Sequence, residues 1–112
     1  MGQYEDLLDR ISEMPNSTCF LAKFSGTNAA LEALKALSFA ERDSYGLSLP
    51  QEILCSVFPM EAGGAMLVIG GSVSDFQRTE IFHALKAGGQ IQSVALPPGV
   101  VADPEMGNHV DT

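Results

Sequence analysis

Tyr4, Leu7, Leu8, Ile11 and Met14 recur at spacings of three and four with acids between them, and Pro15-Asn16 ends the run. That spacing predicts an amphipathic helix over 4–14. Bulky apolar residues then fill 19–24 before the turn signal Ser25-Gly26, which predicts a strand. Ala30, Leu31, Leu34 and Leu37 return to helical spacing with Glu32 and Lys35 on the other side, so a second helix follows, capped by Thr27 or Asn28. Ser38 and Glu41 have the spacing of a capping box and predict a fresh helical turn ending near Tyr45-Gly46, with 47–50 as a connector. Segments 53–58 and 65–69 read as two strands joined by a glycine-rich hairpin loop at 59–64. Gly70-Gly71 ends the second of these. Ser74 with Gln77 is another capping box, opening a helix that runs to Lys86 and stops at Gly88-Gly89. The last strand covers 91–96, and Pro97-Pro98-Gly99 forbids its continuation.

The order helix, then strand, helix, strand, strand, helix, strand predicts an α+β fold: a ferredoxin-like βαββαβ sandwich with an additional N-terminal helix. A single domain is expected over 1–98, with the helix at 4–14, the core at 19–96, and 99–112 as a disordered acidic tail without periodicity. Right-handed crossovers put both core helices on one face of the sheet. Met66 and Val68 alternate with Leu67 and Ile69, so the other face is apolar as well and needs the first helix or a second copy of the chain to cover it.

Composition narrows the function. A chain of 112 residues is one ordinary domain, and 46% hydrophobic residues with a mean hydropathy of +0.13 are too apolar for disorder. No run approaches the roughly 20 apolar residues of a membrane span. The formal charge of −8 and six singly scattered cations argue against nucleic acid and anionic membranes as partners. Residues 1–18 and 97–112 carry −3 each and the middle only −2, so the ends keep a near-neutral centre in solution. Cys19 and Cys55 sit in apolar stretches and no export signal opens the chain, which predicts a cytoplasmic protein with two reduced, buried thiols.

Catalytic chemistry is sparse. His83 and His109 are the two histidines, separated from the thiols and from each other, so no metal and no cofactor are expected. Asp75 and Glu80 lie five apart, on different sides of a helix, which argues against a paired acid and base. Cys55 in an apolar strand is expected to have a raised pKa and to be inert. The segment Gly70, Gly71, Ser72, Val73, Ser74 is the most suggestive: at a strand-to-helix junction, exposed amides and the helix dipole form an anion-binding candidate at Gly70, Gly71, Ser72 and Ser74.

One stretch resembles a known family. The sequence EILCSVFPMEAGGAMLVIGGSV at 52–73 is similar to the second hairpin of bacterial microcompartment shell proteins, followed by Ser74-Asp75-Phe76, and SVALP at 93–97 is similar to their final strand. The resemblance covers about 19–98. It implies a homo-oligomer, a flat cyclic hexamer, in which the loop Met60, Glu61, Ala62, Gly63 and Gly64 lines a pore and the Glu61 ring favours cations over anionic metabolites. The sequence therefore points first to a non-enzymatic self-assembling protein forming a shell-like ring with a central pore. The alternative is a small-ligand-sensing regulatory domain of the ACT or PII-like type, built on the same βαββαβ plan and binding small metabolites.

Overall fold

The computed structural model describes residues 2–43 and 46–97. Along them run α1 (Gln3–Ser12), β1 (Thr18–Phe24), α2 (Thr27–Lys35), the short β2 (Glu41–Asp43) and β3 (Gly46–Ser48), β4 (Ile53–Pro59), β5 (Ala65–Gly71), α3 (Asp75–Gly88) and β6 (Gln90–Ala95). The fold class is α+β. Four strands form an antiparallel sheet in the order β4-β5-β1-β6, while β2 and β3 pair only with each other.

Side-chain alternation decides which way each strand faces. In β1, Phe20, Ala22 and Phe24 are buried on one side, where they meet Leu67 and Ile69 of β5 and the inner stripes of two helices. Those stripes are Ala30, Ala33 and Leu34 of α2 and Ile81, Phe82 and Leu85 of α3. Both helices thus share one side of the sheet.

The other side carries its own cluster. Val68 is fully buried under Leu7 and Ile11 of α1, with Leu21, Leu54, Phe58 and Met66 packed around them. Tyr4 meets the Phe58 ring edge-on, 5.6 Å between centroids. Of the two covers expected for this apolar face, the first helix is the one observed. β5 is consequently covered on both sides, which is why its first five residues are apolar without alternation.

Three local readings are corrected. α1 ends at Ser12 rather than Met14, because Glu13 caps it and Asn16 turns the chain with φ of 50°. Gly26, in extended conformation, stands at the N-cap of α2, and no side chain caps that helix. The fresh helical turn expected after Ser38 is absent: Glu41 opens β2, and Ser38 donates to Glu80 of α3 instead. A tertiary carboxylate within reach outcompeted the local one. The expected tail at 99–112 lies outside the described residues.

Candidate functional site

The two sequence-derived clusters fall at opposite ends of β5, about 20 Å apart for a seven-residue strand. At its start, Met60, Glu61, Ala62, Gly63 and Gly64 form a tight turn in which the Gly63 amide donates to the Met60 carbonyl and the Met60 amide to Gly64, both at 3.0 Å. Gly63 and Gly64 have φ of 99° and 86°, a region that favours glycine. Glu61, Ala62 and Gly63 are exposed at the tip.

At the other end, Gly70 and Gly71 are buried in the ladder, each paired on both sides: Gly70 with Cys19 and Leu54, and Gly71 with Thr18 and Ile53. The Ser72 hydroxyl donates to the Pro15 carbonyl at 2.7 Å, tying this junction to the α1–β1 connection. Ser74 caps α3: its hydroxyl accepts the Gln77 amide at 3.1 Å, and its own amide donates to the Gln77 side chain at 2.9 Å. Gly70, Gly71, Ser72 and Ser74 thus lie at one strand-to-helix junction, with Gly70 and Gly71 buried. Around them stand Glu52, which lines the shallow cleft here, and Asp75, which pairs with Arg78 at 2.7 Å. Asp75, in the first turn of α3, supplies negative charge of the kind this helix end attracts.

A cleft lies elsewhere on the domain, and neither cluster contributes to it. α1 crosses β4, β5 and β1, leaving the β6 side of the same face open. The opening has a volume of about 480 Å3. Leu8, Ile11 and Met14 form one wall, Cys19 and Leu21 of β1 the floor, and Ala95, Leu96 and Pro97 the far side. Its polar lining is Ser12 at the end of α1, Asn16 and Ser17 of the α1–β1 connection, and Ser93 of β6, paired with Leu21. Burial raises the pKa of the Cys19 thiol, so it behaves here as an apolar floor residue. Sequence reading missed this site because its walls are more than 70 positions apart in the chain. The one available signal was the pair of apolar residues at alternate positions 19 and 21 of a strand.

A second cleft of about 570 Å3 runs between α2, β3 and β4, where Leu31, Leu34, Leu47 and Leu49 face Cys55 and Val57. Ser56 is its single hydroxyl. It offers apolar surface with little to orient a ligand.

Among the described residues no histidine, Asp or Glu lines either cleft. His83 is exposed on α3, its ring 5.8 Å from that of Phe82. Burial pushes the Cys55 thiol up to about 12, so it stays protonated at neutral pH. Among the described residues no three of His, Cys, Asp and Glu cluster in a way that could hold a metal ion, and no helix is long and apolar enough to cross a membrane. Compared with family models, with curated proteins and with solved structures, the chain matches none.

Proposed function

We propose that this chain is a non-catalytic binding module: a ferredoxin-like βαββαβ domain, elaborated by α1 and the β2–β3 hairpin, that holds a small ligand as regulatory domains of the ACT or PII-like type do. The strand order β4-β5-β1-β6, with α2 and α3 on one side, supports the fold reading. One observation carries the function: the cleft at the open end of α1, whose volume falls within the range of small-molecule sites and whose apolar walls end in a few polar groups. A large protein interface is less well supported. Among the described residues the exposed large hydrophobics, Tyr4, Leu31 and Phe76, stand on three different helices.

Thermal shift against a panel of neutral, acidic and basic small metabolites and nucleotides tests this reading, since a ligand bound only by the folded state raises its melting temperature. A saturable rise with any class supports it, and a flat response across all classes overturns it.

The shell-like homo-oligomeric ring is a second reading, favoured by the exposed turn that carries Glu61 at the hairpin tip. Native mass measurement decides it. A six-fold mass supports the ring, and a monomer at micromolar concentration ends it.

A further inference from the structure

Within the binding-module reading, on which this step rests, the chemistry of the cleft specifies its ligand. We infer that it is uncharged: a mostly apolar small molecule with a neutral hydrogen-bonding head, rather than an anionic effector. The chain carries a formal charge of −8, yet among the described residues no Asp, Glu, Lys or Arg lines the opening. A carboxylate or phosphate taken inside would lose its water with no cation to replace it, and an ammonium would find no carboxylate. Arg10, the one cation of α1, lines a different depression beside Asp6 and Phe58. Lys23 follows Leu21 on the same strand face but is exposed and does not border the cleft.

A charged head left in solvent at the mouth fares little better if negative. The exposed Asp9 and Glu13 sit on and just after the last turns of α1, next to the lining residues Leu8, Ser12 and Met14. They repel an anion there. What the margin does offer is neutral and two-sided. The Ser12 hydroxyl donates to the Asp9 carbonyl at 2.8 Å and keeps its acceptor capacity, while the hydroxyls of Ser17 and Ser93 both donate and accept. An alcohol, amide or ketone matches that set, and Leu8, Ile11, Leu21 and Leu96 match an apolar body.

Three probes of equal chain length separate the classes: 1-octanol, octanoate and octylammonium, each titrated at neutral pH by thermal shift and by amide chemical-shift perturbation. Octanol is expected to bind with a Kd at least about tenfold lower than octanoate and lower than octylammonium, and to move the amides of Cys19 and Leu21. Ala95→Trp, at an exposed lining position, fills the cleft and abolishes the effect, whereas Leu31→Trp in the other cleft leaves it. Octanoate or octylammonium binding at Cys19 and Leu21 as tightly as octanol overturns the neutral class and leaves the binding-module reading standing. Perturbations confined to Leu31 and Leu47 overturn the location, and no perturbation by any probe overturns both proposals. A mass that doubles with concentration in the wild type and not in Ala95→Trp assigns the cleft to a second copy of the chain and overturns the small-molecule ligand.

Discussion

The backbone amide and the hydroxyl of Ser38 both donate to one oxygen of Glu80, at 3.1 and 2.8 Å, across 42 positions of sequence. This pair fastens the end of α2 to the middle of α3 and sends the chain out into the β2–β3 hairpin. Glu80→Ala removes both acceptor contacts at once, leaving donors that water can still reach. The expected loss is about 1 kcal/mol, read as a lower urea midpoint at unchanged slope, with Ser38→Ala costing less because the amide contact survives.

The glycines at the end of β5 are held by close backbone approach. A Cβ on Gly70 would run into the Thr18 carbonyl, and one on Gly71, whose φ is 141°, into the Glu52 carbonyl. Gly63 has positive φ too but open space around it. Gly71→Ala is therefore expected to lose more than about 3 kcal/mol or fail to fold, while Gly63→Ala loses only about 1–2 kcal/mol of conformational strain. Thermal melts of the two variants side by side check the contrast; equal losses would contradict it.

Ile11 is 1% exposed and roofs Val68 together with Leu7. Ile11→Ala should cost about 2–5 kcal/mol, as deletion of well-packed aliphatic groups does. Deleting residues 1–13 uncovers Val68 and Leu21 and should produce dye-binding, aggregation-prone protein, measured by anilinonaphthalene fluorescence and light scattering.

The half-buried thiol of Cys55 sets a pH dependence with a definite sign. Its ordinary value is 9.0 and burial raises it to about 12 in the folded chain. Below about pH 9 both states keep the proton and stability is unaffected by this group. From about 9 to 12 the unfolded chain releases it while the folded chain does not, so stability falls with rising pH. Cys55→Ala should flatten that part of the profile in urea titrations at pH 8 to 10.5. In the wild type, a thiol-specific reagent at pH 8 should label Cys55 only after denaturation.

Ser74→Ala removes half of the capping box on α3 and leaves the Gln77 amide without its acceptor. A loss of about 1 kcal/mol is expected, partly restored by Ser74→Asp, which accepts the same bond.

How far these features were legible depends on their range along the chain. The capping box at Ser74 and Gln77 was readable because both partners lie within one helical turn. The same pattern at Ser38 and Glu41 misled, since Glu80 offers the competing acceptor and only folding brings it near. The three helices and the four strands of the main sheet followed from periodicity, with errors of a residue or two at ends where Glu13 and Gly26 cap by backbone geometry, but β2 and β3 were read as a helical turn and a connector.

The amino-acid order by itself determined the α+β class, the two apolar faces of β5 and the scarcity of catalytic groups, because each is written in local spacing and residue type. Tertiary structure alone decided that α1 covers the second face, and that it stops short of β6 and so leaves a neutral opening. Where a helix lies across a sheet depends on contacts such as Ile11 with Val68, between residues 57 positions apart. No periodicity records a distance of that kind.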